Sequence, residues 1–489
     1  MTNRLHVFKI VLFSTFFILF NNSNLYSSTW YVDKDATGSN SGTSWDNAWI
    51  SMASISVASS GDVVFISGGV TTKTYTNSIL RPPAGVTVKP GAAEASALLQ
   101  HSGQIILNRT GQAQAITCGG NNVKFDFLVN NARKLKVIGG TTGVECSNSG
   151  LLFRGIELTG QVSYGMQNTD ATGEVDNVYI HGSTGTSYDA AIKNGYNVYT
   201  PGYDRMIIHD SEIAVPHGTG HTGFGADGVQ GGSGLTMYNN LIYGVDDATY
   251  SNGPSGQHQD GVQTGGGAYQ KIYNNIFHSI IGQGIFLEYS YLNLYVYNNV
   301  LWNVTYPIPI GRSTSTRSNV HVESNTIVDC DAISGAPVIN IAPATTVTNI
   351  TIKNNIIAGC GTGGLIQYDS YGTGGGTCGV DIVIDGNVTS GTTGTGTSCK
   401  GATLTQPTYG SKLLPSFISY SPATIHRSIQ PNLRLSSGDT VAKDHGITSI
   451  YFTTDKNGVP RPQGLTWDIG AYEFTGKNPK YPGEISIGN

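Results

Sequence analysis

The sequence predicts an all-β protein wound as a right-handed parallel β-helix. Three observations carry that expectation: a composition built for turns, a short asparagine-bearing pattern that recurs along the chain, and two ends that break the pattern. The composition comes first. Of 489 residues, 65 are glycine, and only 12% are charged. Apolar residues make up 38%, too many for a disordered chain. Many short apolar runs separated by Gly, Asn, Ser and Thr describe strands joined by turns. A single domain of this length exceeds the usual size, but repeat folds escape that limit because each repeat touches only its neighbours. The net charge is −5, and no basic run interleaves with aromatics, so nucleic acid is not expected as a partner.

The repeat reads YNNLI at 238–242, YNNIF at 273–277, YNNVL at 297–301, ESNTI at 323–327, KNNII at 353–357 and DGNVT at 385–389. Its third residue is Asn240, Asn275, Asn299, Asn325, Asn355 or Asn387, at spacings of 35, 24, 26, 30 and 32. Weaker copies lie upstream, in NVYIHGS at 177–183 and MIIHDSE at 206–212. Repeats of this length with short strands and an Asn at one turn mark a parallel β-helix. Successive coils lie about 4.8 Å apart, so equivalent side chains stack in columns. Amides can hydrogen-bond along such a column, and Asn tolerates the left-handed backbone of a tight turn. The column asparagines are therefore read as architectural.

The ends complete the outline. Arg4 and Lys9 precede the apolar run from Ile10 to Phe20, which is too short to span a bilayer. Residues 1–28 are expected to be a secretory signal peptide, giving a secreted protein, extracellular or periplasmic, without a membrane anchor. Residues 29–66 are expected to cap the first coil, 67–400 to form the coils, and 401–489 to be an irregular closing segment packed on the helix. The opening WYVD, the repeats and the closing WDIGAYEF at 467–474 resemble secreted bacterial β-helix proteins of the pectate-lyase-like superfamily. That resemblance implies an extracellular polysaccharide as partner and substrate.

Two coils share a motif found nowhere else, GADGVQGG at 225–232 and HQDGVQTG at 258–265, which stacks Asp227 on Asp260. Counting from the asparagines gives a second column of Lys193, Gln230, Gln263, Glu288 and Arg312. Aspartate is disfavoured in strands, and two acids one coil apart repel. A cation, a shared proton or a nearby base must offset that cost. The ordinary alternative is a solvated face with Asp-Gly turn chemistry. The same two coils are swollen by 214–226 and 246–259, segments able to wall a cleft with His217, His221, Phe224, Tyr250 and His258. Asp227, His258, Asp260, Lys193 and Arg312 are the catalytic candidates. His221, Gln230, Gln263, Glu288 and Tyr289 are the substrate-binding ones. Tyrosine, present 26 times, is a strand former and also a residue that stacks on sugars.

The resemblance implies a lyase that cleaves a uronic-acid-containing chain by β-elimination. Asp227, Asp260 and Glu288 would then hold calcium, with Lys193, His258 or Arg312 as base; no other cofactor is expected. The sequence does not match the basic motifs of such lyases. The DGVQ strands also resemble the Asn-Thr-Asp-Gly strand of polygalacturonases, which makes hydrolysis by Asp227 and Asp260 the alternative. Here, however, Ala226 or Gln259 stands in place of Thr, the paired Asp-Asp is missing, and GHTG at 220–223 only approximates that family's Gly-His-Gly. Carboxylates stacked one coil apart are also closer than the roughly 6.5–9.5 Å of an inverting hydrolase. An epimerase and a non-catalytic carbohydrate-binding or surface protein complete the alternatives.

Six cysteines suit an oxidising compartment. Cys330 and Cys360 each lie five residues after a column asparagine, and Cys118 and Cys146 precede corresponding strands. Neighbouring coils hold equivalent Cα atoms within disulfide reach. The expected pairs are Cys118–Cys146, Cys330–Cys360 and Cys378–Cys399. The alternative is a buried column of thiols.

Overall fold

The computed structural model describes residues 27–168, 172–183, 189–194, 206–215, 226–244, 259–288, 291–311, 316–330, 338–341, 347–360, 366–368, 382–389, 410–411, 413–420 and 431–476. Among them, three long sheets run the length of the molecule. Sheets A and B have 13 strands each, and sheet C has 10. Every neighbouring pair in these sheets is parallel, as in Leu235–Tyr238 beside Gly267–Tyr273. Each coil visits A, then B, then C. One coil runs Leu235–Tyr238, Leu241–Gly244 and Val262–Thr264 before returning to sheet A at Gly267. The molecule is a right-handed parallel β-helix. No helix among the described residues is long and apolar enough to cross a membrane.

The core is a column inside the coils. Alternate residues of each strand point inward, so Ile208, Met237, Ile272, Val296, Val322 and Ile352 follow one another from coil to coil with at most 1% exposure. The corner between sheets A and B is the tightest. Its left-handed residue is the one before the column asparagine: Asn239, Asn274, Asn298, Ser324 and Asn354 have φ between 52° and 57°. The two roles assigned to one Asn are thus split between neighbours. The second asparagine forms the ladder. In each step the backbone N–H and Nδ2 of one Asn donate to Oδ1 of the next, as from Asn275 to Asn299 at 3.0 and 3.1 Å. Upstream, Ser211 takes the same place, its N–H donating to Asn240 Oδ1 at 3.1 Å.

Residues 29–66 enter the helix itself. Thr29–Val32 pairs in parallel with Val63–Ile66 as the edge of sheet A, and Met52–Val57 is a short 3-10 helix. At the other end, Leu433, Leu435, Val441, Ala442, Ile469 and Ala471 pack on the outer side of sheet B, against Val300, Trp302, Val328 and Ile356. Arg461, fully buried there, binds the carboxylate of Glu473 and the carbonyls of Asp468 and Gly470. Two of the expected disulfides are present, Cys118–Cys146 and Cys330–Cys360, with Cα atoms 5.2 and 4.5 Å apart. Cys378–Cys399 and residues 1–26 lie outside the described residues.

Candidate functional site

The A–B corner of the asparagine-bearing coils is closed by a two-residue link, as by Asn239 and Asn240, so long insertions enter beside sheet C. The segments 216–225 and 245–258 connect strands of sheet B to Asp227–Gly231 and Val262–Thr264 of sheet C. The DGVQ strands therefore begin where the swollen segments end.

A kink in these strands puts two acids on the outside. Gly228 and Val229 both face the core, because a Cβ on Gly228 would lie 3.1 Å from Val215 and Ile242 side-chain atoms, and Val229 is itself a core residue. With two successive residues inward, Asp227 and Gln230 share the outer side, where Gln230 Nε2 donates to Asp227 Oδ2 at 2.8 Å. Gly261 repeats the arrangement, its Cβ position 2.8 Å from Ile280 and Phe277. Only a small residue fits these places, and Ala191 holds the equivalent one in the preceding coil.

The strand register brings Asp227 opposite Asp260, since Val229 pairs with Val262. The Asp260 N–H donates to Asp227 Oδ1 at 3.1 Å, and the Gln283 N–H donates to Asp260 Oδ1 at 3.0 Å. Both aspartates are almost fully buried, at 1% and 0% exposure. Burial, and next the charge of Asp260, push Asp227 well above the ordinary carboxylate range. The hydrogen bonds from Gln230 and the Asp260 N–H oppose that shift without cancelling it. Asp227 therefore keeps its proton under conditions in which an exposed aspartate has lost it.

The second column holds for Lys193, Gln230 and Gln263, which pair in register. It does not continue to Glu288 or Arg312. Phe286 lies opposite Gln263, and Pro309 follows, because Leu287 pairs with Ile310. Glu288 is one residue beyond its strand, yet its side chain reaches back to accept from Gln263 Nε2 at 3.3 Å. Arg312, His217, His221, Phe224, Tyr250, His258 and Tyr289 lie outside the described residues.

Lys193 departs from the role of a base. Its ammonium sits 2.7 Å from Asp189 Oδ2 and 3.4 Å from the Tyr164 hydroxyl. Burial alone would lower its pKa, but the bond and charge of Asp189 outweigh burial and hold it above the ordinary lysine value. Lys193 is thus a fixed cation. Asp189 also accepts from Tyr164 at 3.0 Å and from Gln230 Nε2 at 3.3 Å, which links Lys193 to the aspartate pair. No motif marked Asp189 or Tyr164. The available signal was an acid four residues before Lys193, just ahead of the strand Ala190–Asn194.

The calcium set does not assemble. Among the described residues, the acidic and histidine groups that converge within 4.8 Å are Glu174, Asp176 and His209, on the outer side of sheet A. Asp227, Asp260 and Glu288 do not converge, and each aspartate spends one oxygen on a backbone N–H. These three residues do not fit a calcium ion. The sheet A group is an ion-pair network: Arg154 Nε binds Asp176 at 2.6 Å, and His209 Nε2 lies 3.0 Å from Glu174.

No family model matches the chain, and no curated protein matches it. Solved structures similar to it include pectate lyase Pel9A, at a TM-score of 0.43 and 12% identity, covering 91% of this chain and 96% of that one. A rhamnogalacturonan lyase gives a TM-score of 0.43 at 12% identity, covering 84% and 96%. PfbA, a surface adhesin of Streptococcus pneumoniae, gives 0.31 at 12% identity, covering 74% and 86%.

Proposed function

We propose that the protein acts on an extracellular polysaccharide lying along the outer side of sheet C, and that it cuts this chain by hydrolysis with Asp227 as proton donor. The observation that carries the reading is the buried Asp227–Asp260 pair, in which Asp227 retains a proton beside a second carboxyl group. A glycosidic oxygen needs such a proton to leave. Lys193, Asp189, Gln230, Gln263 and Glu288 form a connected polar surface around the pair that can hold sugar hydroxyls. Calcium-assisted elimination is less well supported, since its metal ligands do not converge and Lys193 is held protonated. Carboxyl groups one coil apart are close to the roughly 5–5.5 Å of retaining enzymes, which makes net retention the expected outcome.

A non-catalytic carbohydrate-binding protein is the second reading. It is favoured by the backbone bonds that both aspartates accept, which give them an architectural role. One experiment separates the readings. The secreted protein is incubated with a panel of polysaccharides while reducing ends and absorbance at 235 nm are followed. New reducing ends without absorbance support hydrolysis. Rising absorbance reports an unsaturated product and overturns it in favour of elimination. Binding with neither signal favours the non-catalytic reading.

A further inference from the structure

A second column of left-handed residues crosses sheet A, at the end of its strands nearer sheet C. Gly234, Tyr269, Asn293, Asn319 and Asn349 have φ between 51° and 74°. The strand register stacks them. Ala268 and Gln270 pair with Leu292 and Leu294, these with Ser318 and Val320, and these with Thr348 and Ile350. Gly234 joins the column through its N–H, which donates to the Ala268 carbonyl at 2.9 Å. Glycine and asparagine adopt this backbone readily. The asparagines also bond to one another: Asn319 Nδ2 donates to Asn293 Oδ1 at 2.5 Å, and Asn349 Nδ2 to Asn319 Oδ1 at 2.8 Å. Tyr269 is the exception. A bulky side chain is strained in this conformation, and tyrosine does not extend the amide ladder.

The fold gains little from that strain. Tyr269 is 50% exposed, and its side chain has no hydrogen-bond or ring partner among the described residues. Tyr238, Tyr273 and Tyr297, on the same side of the sheet, turn their ring faces to one another. They form one stack with His209 and Phe452, with ring centroids 4.5–5.2 Å apart. Strain kept without a return in packing collects at ligand sites. Tyr269 lies six residues after Gln263, in the coil that carries Asp260. Its Cα is therefore within roughly 20 Å of the polar face around the acid pair.

We infer that Tyr269 is a stacking platform for one sugar ring of the bound glycan, a subsite at the corner between sheets C and A. The inference rests on the proposed function. A phenol ring offers an apolar face, which suits the C–H side of a pyranose. Affinity gel electrophoresis tests it on the full secreted chain with embedded galactan, xylan, mannan, polygalacturonate or alginate, beside a urea melt of each variant. Tyr269→Asn should weaken retardation by the polymer that retards the parent protein about tenfold. Its urea midpoint should be equal or higher, because asparagine suits the left-handed backbone. Tyr269→Phe should keep the retardation, since the ring and not the hydroxyl makes the contact. Unchanged retardation in Tyr269→Asn overturns the inference; if Asp227→Asn still stops cutting of that polymer, the proposed function survives. A midpoint lowered by Tyr269→Asn overturns it as well, because the tyrosine then serves the fold, and so does an equal loss of retardation in Tyr269→Phe. If the parent protein is retarded by no polymer, the inference fails, and if it also cuts none, the proposed function falls with it.

Discussion

Two columns of buried polar side chains run along this helix, and they solve the same problem differently. At the A–B corner, Asn240, Asn275, Asn299, Asn325, Asn355 and Asn387 lend an oxygen to a neighbouring coil's backbone N–H. At the start of sheet C, Asp227 and Asp260 do the same, in the opposite direction along the helix. The amide column is self-sufficient. From Asn240 to Asn355 each Nδ2 donates to the next Oδ1 and to a carbonyl, as Asn299 does to Asn325 at 3.0 Å and Ile272 at 2.8 Å. A carboxylate has no donor to pass along a column, and two buried acids one coil apart repel unless one keeps a proton. Architecture alone would be better served by asparagine in both places. The carboxyl groups therefore point to chemistry, and reciprocal exchange of the two residue types tests this.

The largest effect is expected from Asp227→Asn. It keeps the oxygen that the Asp260 N–H needs, and Gln230 can turn its amide to match the new NH2. Stability should stay within about 1 kcal/mol. Activity should fall by roughly 10²–10⁴, the usual worth of a general acid. Reducing-end release and a denaturant melt on the same preparation check both. Full activity in this variant would move the protein to the binding reading.

The reverse exchange, Asn299→Asp, should leave any activity per folded molecule unchanged and cost about 4 kcal/mol of stability. The new carboxylate oxygen would face Asn325 Oδ1 and the Ile272 carbonyl, which are two acceptors in a fully buried place. A urea midpoint close to that of the parent protein would show that the ladder is not what holds this corner.

How much of this was legible in the sequence follows from the same contrast. The asparagine column could be read directly because the A–B link has constant length, so counting from YNN to YNN keeps the register. The face of sheet C could be read only over its first coils. Gln230 lies ten residues before Asn240, Gln263 twelve before Asn275, Phe286 thirteen before Asn299 and Pro309 sixteen before Asn325. The stretch from the outer column to the asparagine thus lengthens coil by coil, and counting backwards drifts onto Glu288 and Arg312. The raised pKa of Asp227 and the capture of Lys193 by Asp189 depend on burial and on a side chain just ahead of the strand. No spacing rule encodes either.

A smaller effect is expected where the kink is made. Gly228→Ala would place a Cβ 2.4 Å from the Gly261 carbonyl oxygen, which cannot swing aside as a side chain could. A loss of about 2 kcal/mol is expected, together with reduced activity, since relaxing the kink turns Asp227 away from Gln230. Ala191→Gly, at the equivalent place one coil earlier, should change thermal stability by less than about 1 kcal/mol. Equal losses in the two variants would mean that the kink is not specific to the acid-bearing coils.

The smallest effect concerns pH and separates the two columns most cleanly, because amides do not titrate. In the unfolded chain Asp227 ionises near 3.8. In the folded chain burial, and next the charge of Asp260, hold its proton to a pH well above that. Below 3.8 both states carry the proton and the group contributes no penalty. As pH rises from there toward the folded pKa, the unfolded chain releases a proton that the folded chain keeps, so the folded state loses stability. Asp227→Asn removes this loss. The variant should match the parent below pH 3.8 and gain on it steadily as pH rises toward the folded pKa of Asp227. Asn275→Ala in the ladder should instead lower stability by the same amount at every pH. Parallel stability-versus-pH curves for the parent and Asp227→Asn would show that Asp227 is ionised in the folded state, and with that the proton donor proposed for the reaction would be lost.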